Sequence, residues 1–299
     1  MNKINLISLP NRYVGIKSIF LESVFRQYFN FIEYNETEKY DPSNSVFITN
    51  IFNGLDWLNN RANDGYCTVV DNLPEIAANT SHYRLLNPNW FWYRESLLGE
   101  YFGYNQYQPS KSYDKLAFMP INRIAPVRDY IVSTLAPYLD DFIYSYRTQS
   151  LPNDLNKTDN NWQRYFNPDW YNQTYFSLVI ETSLTGTGFI TEKSFKPIAY
   201  QHPFMIYGQP GTLASLKQLG FETYENLFDQ SYDSENDYNK RLNIIIDNIR
   251  SFNRCPYDAL TLEKTKHNHQ LFFNTELVTN RIVTEIINPL LEYVNSYTS

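Results

Sequence analysis

One short segment places side chains that could bind a phosphorylated ligand at the end of a strand. The run FSLVIETS, residues 176–183, is apolar enough for a buried parallel strand and ends on polar Glu181 and Thr182. The sequence ITEK follows at 190–193, and its Thr191 is a residue type that often caps the N-terminus of a helix. Ligands of open α/β sheets gather at the carboxyl ends of strands, where the first turn of a helix offers backbone N–H groups. We therefore predict an anion-binding helix start after this strand.

The two residues that follow Thr191 have the chemistry needed to hold a nucleoside diphosphate. The Glu192 carboxylate can accept hydrogen bonds from both hydroxyls of a ribose, and the Lys193 ammonium can meet phosphate charge together with the helix dipole. Lys196 comes three residues later on the same predicted helix face and could add a second cation. The same Thr-Glu-Lys pattern is also typical of an ordinary solvated helix cap, so chemistry alone leaves both interpretations open.

Strands and helices alternate along the chain, which predicts parallel sheets covered by helices. Apolar residues at helical spacing predict a helix between Gly15 and Phe29. The polar stretch 149–170 is interpreted as a surface loop, and further helices are expected from Pro126 and from Thr191. The predicted strands lie at 3–8, 45–52, 67–73, 116–123, 141–146, 174–183 and 202–208.

A length of 299 residues favours two domains of ordinary size. The segment NQYQPSKSYDK, residues 105–115, is polar and contains proline, and we interpret it as the link between them. We therefore predict an N-terminal α/β domain over residues 1–112 and a C-terminal α/β domain over residues 113–299. The last helix of the chain could pack back on the N-terminal domain.

Composition and charge restrict the classes of protein to which the chain can belong. With 42% hydrophobic and 19% charged residues it can bury a core, and its formal net charge of −7 argues against a broad grip on nucleic acid. The two cysteines, Cys67 and Cys255, form no CxxC pair, which excludes a thiolate zinc site. The sequence has no secretory leader pattern and no apolar run of about 18 residues, so we expect a cytoplasmic protein without a membrane span.

The segment around the predicted helix start resembles the donor-binding half of glycosyltransferases of the fucosyltransferase and exostosin kind. The resemblance rests on an ordered set of motifs: ETS at 181–183, ITEK at 190–193, HPFMIYG at 202–208 and LGF at 219–221. It covers about residues 113–250, whereas the preceding part of the chain resembles no family that we can name. The resemblance implies a GT-B fold, an α/β architecture of two Rossmann-like domains with a cleft between them. In such enzymes the C-terminal domain binds a nucleotide-sugar donor and the N-terminal domain binds the acceptor.

The resemblance also implies roles for individual residues. Glu192 matches the acid that holds the donor ribose, Lys193 matches the lysine that contacts the donor phosphates, and Glu181 matches the acid at the end of the preceding strand. Arg128 occupies the place where such enzymes have a phosphate-binding arginine, with Arg123 as the alternative. The complete predicted donor site is Arg128, Glu181, Thr182, Thr191, Glu192, Lys193 and Lys196.

The resemblance further implies a transferase that needs no metal ion or other cofactor, because basic side chains and a helix dipole stabilise the leaving group in such enzymes. The chain has no clear Asp-x-Asp signature of the metal-dependent GT-A enzymes. The acidic stretch SYDSENDYNKR, residues 231–241, lacks the glycine and the terminal glutamate of an EF-hand loop, and we interpret it as a solvated turn. No metal ligands are therefore predicted.

An inverting transferase needs a carboxylate on the acceptor side to deprotonate the attacking hydroxyl. Asp71, at the end of the predicted strand CTVVD, and Glu95 are the predicted catalytic residues, and Glu75 is a further candidate. A turn or helix-cap role is the alternative for Asp71. We expect transfer of a hexosyl or deoxyhexosyl unit with inversion, while retention of configuration stays open.

The expected partners are a nucleotide-diphosphate sugar and a glycan or glycoconjugate acceptor. Trp90, Trp92 and Tyr93 could form an aromatic platform for that acceptor, with core packing as the alternative. Two other functions stay open. One is sugar transfer to a modified nucleic-acid base, which the acidity of the chain disfavours, and the other is carbohydrate binding without turnover.

Overall fold

The computed structural model describes most of the chain, which divides into two units. The first unit comprises Met1–Leu97 together with Thr275–Ser299, and the second comprises Leu98–Asn274. The described residues are 3–8, 23–50, 55–71, 83–85, 89–121, 124–151, 167–186 and 190–298.

Strands and helices alternate through both units. The strands are β1 (Ile4–Ser8), β2 (Phe29–Glu33), β3 (Ser45–Asn50), β4 (Cys67–Asp71), β5 (Tyr83–Leu85), β6 (Lys115–Pro120), β7 (Phe142–Ser145), β8 (Thr174–Ile180) and β9 (Phe204–Tyr207). The helices are α1 (Leu55–Asn63), α2 (Trp90–Tyr101), α3 (Pro126–Leu135), α4 (Pro168–Asn172), α5 (Glu192–Ala199), α6 (Thr212–Gln218), α7 (Tyr238–Ser251), α8 (Ala259–Phe272), α9 (Thr275–Ile282) and α10 (Asn288–Thr298). Shorter helical segments are Pro42–Asn44, Tyr104–Gln106, Ala136–Asp141, Ser231–Ser234 and the π-helical Val283–Ile287.

Each unit is built on a parallel sheet. Within the described residues, the first unit has the strand order β2-β1-β3-β4-β5 and the second has the order β7-β6-β8-β9. Every neighbouring pair runs parallel, so successive strands must be joined by crossovers. A parallel sheet wound with helices is the arrangement of a Rossmann-like domain.

The units differ from the predicted domains at both ends of the second one. Residues 98–112 belong to the second unit, where the Tyr107 hydroxyl donates to Asn172 Oδ1 at 2.6 Å and Gln201 Nε2 donates to the Tyr107 carbonyl at 2.9 Å. Residues 275–299 belong to the first unit, where α10 packs against β4. Hydrogen bonds and helix packing between distant segments decide to which unit these residues belong. Such contacts cannot be predicted from the local composition of the chain.

The predicted helix between Gly15 and Phe29 is wrong at its C-terminal end. Phe29 begins β2, which pairs in parallel with β1 in the register Ile4 to Phe29. The sequence FNFIE alternates apolar and polar residues at its start, so it satisfies a strand pattern as well as the helical one, and the pairing with β1 decides between them. The part of this prediction before residue 23 lies outside the described residues.

The predicted loop over residues 149–170 contains the start of a helix. Asn167 caps α4 by accepting a hydrogen bond from the backbone N of Asp169, and Trp170 and Tyr171 of that helix are buried. Residues 152–166 lie outside the described part of the chain. The stretch is polar on average, so its composition does not predict that Trp170 and Tyr171 pack α4 against Phe118 of β6.

Strand β8 positions the candidate site. All seven of its residues are buried between β6 and β9, as expected for a strand covered on both faces. The backbone N of Glu181 donates to the carbonyl of Tyr207 at 3.0 Å, so the ends of β8 and β9 lie side by side. Helix α5 is the next element after β8, and its N-cap Thr191 is hydrogen-bonded to Glu181. The helix therefore begins at the same edge of the sheet.

Candidate donor-binding site

A buried carboxylate joins the end of β8 to the start of α5. The Glu181 side chain is fully buried, and its Oε1 accepts hydrogen bonds from the backbone N of Thr191 at 3.0 Å and from Ser194 Oγ at 2.6 Å. Its Oε2 accepts from Thr191 Oγ1 at 2.6 Å and from the backbone N of Thr182 at 3.3 Å. Four hydrogen bonds compensate the burial of the carboxylate and fix the helix start to the strand.

Thr191 is the N-cap of α5, as predicted, and Lys193 folds back over it. Thr191 Oγ1 accepts from the backbone N of Lys193 at 3.4 Å. Lys193 Nζ donates to Thr191 Oγ1 at 3.1 Å and to Thr182 Oγ1 at 2.9 Å. It also lies 3.9 Å from Glu181 Oε2 and 3.4 Å from Glu192 Oε1. Hydroxyls and two carboxylates therefore hold the ammonium group at the helix N-terminus.

The helix start reaches solvent through its charged side chains. Ile190 and Thr191 are buried, whereas the side chain of Lys193 is 25% exposed and that of Glu192 is 18% exposed. Lys196 lies one turn further along α5 and is half-buried. At a helix N-terminus, an accessible ammonium group can bind a phosphate, and an accessible carboxylate can accept hydrogen bonds from hydroxyl groups.

The arginine predicted as a further phosphate ligand lies at the start of another helix. Arg128 is in the first turn of α3 and is buried. Helix α3 follows β6, which pairs with β8, so Arg128 lies at the carboxyl edge of the sheet, one strand away from Glu181. The alternative, Arg123, lies outside the described residues.

The predicted catalytic acids belong to the first unit. Asp71 is the last residue of β4, but its side chain and the whole of Glu75 lie outside what the structure describes. Glu95 is on α2, where Arg94 Nε and Nη2 donate to its Oε1 at 3.0 and 2.6 Å. A catalytic role for Asp71 or Glu95 stays a prediction.

The aromatic residues predicted as an acceptor platform pack inside the first unit. Trp92 and Tyr93 are fully buried. The Tyr93 hydroxyl donates to Glu285, and the Arg281 guanidinium lies 5.1 Å from the centroid of the Trp92 ring. Trp92 and Tyr93 are therefore core residues, which was the alternative interpretation. The structure does not describe the side chain of Trp90.

The acidic stretch 231–241 is not simply a solvated turn. The Asp233 carboxylate accepts from the backbone N of Leu213 at 2.8 Å and of Ala214 at 3.0 Å, so it caps α6. Asp237 is the N-cap of α7. Burial raises the pKa of Asp233, which is the cost of placing a carboxylate inside this corner. The acids are concentrated here because two helices begin beside each other and need acceptors for their first N–H groups.

Sequence reasoning missed three residues around the site. Ser194, in the first turn of α5, donates a hydrogen bond to the buried Glu181 carboxylate, and its position beside the predicted helix start is the signal that could have found it. Gln209 donates to the carbonyl of Thr185, and Arg241 Nη2 donates to the carbonyl of Leu184 at 2.8 Å. No local pattern identifies the last two, because each contact joins segments that are distant in sequence.

Further observations bear on metal binding and on the cysteines. Within the described ranges, no group of three or more His, Cys, Asp or Glu residues is arranged to hold a metal ion. None of the described helices combines the length and apolar character that a membrane crossing requires. Both cysteines are free, and burial raises the pKa of the Cys67 thiol to about 12.

Comparisons with known proteins identify structural relatives. No protein-family model matches the chain, and no curated protein matches it. The crystal structure of an α1,3-fucosyltransferase is 11% identical, with 93% of this chain and 92% of that chain covered and a TM-score of 0.50. An α1,3-fucosyltransferase with GDP-fucose is 12% identical over 91% and 90% of the two chains, with a TM-score of 0.49. The DNA-modifying enzyme β-glucosyltransferase is 10% identical over 98% and 100%, with a TM-score of 0.47.

The likeness to α1,3-fucosyltransferase concerns the fold, since identity is low. It extends over nearly the whole of both chains and includes the first unit, which no sequence motif identified. Together with the two parallel sheets, it confirms the predicted fold class of two Rossmann-like α/β domains of the GT-B kind. It also agrees with the resemblance to fucosyltransferases found in residues 113–250.

Proposed function

We propose that the protein is a glycosyltransferase that moves a sugar from a nucleotide-diphosphate donor to a glycan or glycoconjugate. The observation that carries this proposal is the start of α5, where Glu192 and Lys193 reach solvent at the carboxyl end of β8. This is the place where open α/β sheets bind nucleotides. The GT-B-like fold and the ordered motifs of residues 176–211 support the same assignment.

The residues of the helix start have complementary roles in donor binding. The Glu192 carboxylate accepts hydrogen bonds from the ribose hydroxyls, and the Lys193 ammonium binds the diphosphate beside the positive end of the helix dipole. Glu181 is a positioning residue, because its carboxylate is buried and engaged by Thr191. Lys196 adds positive charge on the same helix.

The proposed reaction is a displacement at the anomeric carbon of the donor sugar. The acceptor hydroxyl oxygen forms the new bond to this carbon, the bond to the phosphate oxygen breaks, and the nucleoside diphosphate leaves. A carboxylate takes the hydroxyl proton, and Asp71 and Glu95 are the candidates for this base in an inverting reaction. Lys193, Arg128 and the helix dipole stabilise the charge of the leaving group without a metal ion.

A binding experiment tests the donor site. UDP, GDP, ADP and CDP are titrated separately into the protein, in the presence of a chelator, and thermal unfolding is recorded. A nucleotide at 100 times its dissociation constant stabilises the folded protein by about 2.7 kcal/mol. For a domain of this size, this corresponds to a rise in Tm of about 5–10 °C.

The Lys193→Ala variant distinguishes the proposed site from binding elsewhere. We expect it to lose most of this rise in Tm, because the ammonium group beside the diphosphate is gone. Lys266→Ala, which removes an exposed lysine from α8, is the matched control and should respond like the unaltered protein. A rise in Tm that survives Lys193→Ala, or no rise with any of the four nucleotides, would overturn the proposal.

A further inference from the structure

Arg241 has hydrogen-bond donors that the described protein does not satisfy. It lies in the first turn of α7, and only 1% of its surface is exposed. Its Nη2 donates to the carbonyl of Leu184 at 2.8 Å. Its Nε and Nη1 are buried and have no hydrogen-bond partner among the residues that the structure describes. Because buried donors are almost always paired, and a charged one is especially costly to leave unpaired, these two nitrogens point to a ligand.

Arg241 lies at the end of β9, the strand next to β8. Its guanidinium carbon is 5.8 Å from the ring centroid of Tyr207, the last residue of β9. The next residue, Gly208, packs so closely on Glu181 that a Cβ atom there would lie 3.4 Å from Glu181 Cβ. Glu181 in turn binds Thr191 at the helix start. Arg241 therefore lies at the end of β9 and the helix start at the end of β8. These two strands are neighbours in the sheet, and neighbouring strands lie about 4.8 Å apart.

The electrostatic surroundings of Arg241 favour a neutral ligand group over a second anion. Burial lowers the pKa of Arg241, and the nearby charges of Asp233, Glu235 and Asp237 oppose that effect. These three acids lie close enough to act on the guanidinium, and their negative charge disfavours a phosphate at the same place. The carbonyl oxygens and ring nitrogens of a nucleobase accept hydrogen bonds from arginine without adding negative charge.

An aromatic side chain with exposed surface lies in the same region. Tyr238, the first residue of α7, is 45% exposed. The Tyr207 hydroxyl donates to the carbonyl of Tyr238 at 2.8 Å. Exposed aromatic rings offer a stacking surface to a planar base, whereas they offer little to a phosphate or a sugar hydroxyl.

We infer that Arg241 is the residue that selects the base of the donor nucleotide. Its Nε and Nη1 donate to acceptor atoms on the edge of the nucleobase, while Glu192 and Lys193 hold the ribose and the diphosphate. The inference rests on the proposed function, because it requires a nucleotide at the start of α5. It assigns base recognition to α7, separately from the phosphate contacts of α5.

Dissociation constants of UDP, GDP, ADP, CDP and inorganic pyrophosphate, measured by calorimetry, test this inference. The Arg241→Lys variant keeps the positive charge and one donor for the Leu184 carbonyl but loses the planar set of N–H groups. We expect the unaltered protein to prefer one base. In the variant, the dissociation constant of the preferred nucleotide should rise about 10- to 100-fold, with the other nucleotides and pyrophosphate nearly unchanged.

The possible outcomes separate the two proposals. If all nucleotides and pyrophosphate weaken together in Arg241→Lys, the arginine binds phosphate and the inference is overturned. Equal binding of the four nucleotides by the unaltered protein, or an unchanged preference in the variant, overturns it as well, and the proposed function then still stands. Failure of every nucleotide to bind the unaltered protein overturns both.

A measurement on the unaltered protein covers the case in which the variant does not fold. Hydrogen exchange of the backbone amides is followed with the preferred nucleotide and with pyrophosphate. We expect the nucleotide to protect the first turns of α7, residues 238–245, and pyrophosphate to leave them unprotected. Equal protection of this segment by both ligands, or by neither, would contradict base recognition by Arg241.

Discussion

The replacement Glu181→Gln tests whether the buried carboxylate holds the start of α5. The carboxylate accepts from Thr191 N, Thr191 Oγ1 and Ser194 Oγ at 3.0, 2.6 and 2.6 Å. Glutamine has nearly the same shape but only one acceptor oxygen. Its NH₂ group would face the backbone N–H of Thr182, which now donates to Oε2 at 3.3 Å. The change therefore removes the negative charge of the side chain. It also brings two hydrogen-bond donors, the glutamine NH₂ group and the N–H of Thr182, face to face.

The size of the effect follows from these contacts. Hydrogen bonds to a charged group contribute about 1.5–3 kcal/mol each, whereas neutral ones contribute about 0.5–1.5 kcal/mol. Three weakened bonds correspond to a loss of about 3 kcal/mol in the free energy of unfolding. The Lys193 ammonium adds little to this sum, because it is 3.9 Å away and partly solvated. For a domain of this size the expected fall in Tm is about 6–12 °C.

Thermal unfolding followed by circular dichroism measures this loss, and Glu263→Gln makes the matched control. Glu263 is exposed on α8, so the same chemical change there should alter Tm by less than about 2 °C. We also expect Glu181→Gln to weaken nucleotide binding, because Thr191, which Lys193 contacts, would be less firmly fixed to the end of β8. A fall in Tm no larger than that of the control would refute the role assigned to Glu181.

Two further predictions concern side chains around the sheet edge. Thr191→Val keeps the shape of the N-cap but removes its hydroxyl, which both caps α5 and donates to the Glu181 carboxylate at 2.6 Å. We therefore expect a loss of about 2–4 kcal/mol in the free energy of unfolding, and Thr191→Ser should restore most of it. Equal stability of the two variants in chemical denaturation would contradict this role of the hydroxyl. The Tyr146 hydroxyl and the Arg147 guanidinium lower the pKa of Asp129 below its ordinary value of 3.8, so the folded state favours the ionised form and this stabilisation is present above that value. The difference in Tm between the unaltered protein and Asp129→Asn should therefore be largest near neutral pH and shrink as the pH falls below 3.8, and a difference that grows on acidification would oppose this assignment.

The second unit could be predicted closely because its signals are local. Strand β8 is mostly apolar and is followed directly by the carboxylate Glu181, and Thr191 follows as a capping residue ten positions later. Since both features belong to one β-α connection, the sequence brings them together without knowledge of the rest of the fold. The contact between Glu181 and Thr191 is the physical result of that connection.

Other parts of the fold depend on contacts that a single segment does not encode. The five residues Phe29–Glu33 suit either a helix or a strand. They form a strand because they pair with β1 at the edge of the sheet. Arg241 ends the acidic stretch 231–241 and has the pattern of a surface residue, yet it is buried, with its guanidinium near the ring of Tyr207 on β9. In both cases the tertiary environment overrides the local preference.

The burial of Glu181 resolves an electrostatic difficulty of the proposed donor site. An acid so close to bound phosphates would weaken their binding if its charge were free. Here four donors satisfy the carboxylate, and two of them are N–H groups at the strand end and helix start. The acid therefore acts mainly on the protein, by setting where α5 begins, while Lys193 remains between it and the solvent. A site that binds two phosphates can thus contain a carboxylate, provided that the donors of the helix start satisfy the hydrogen-bonding capacity of this carboxylate.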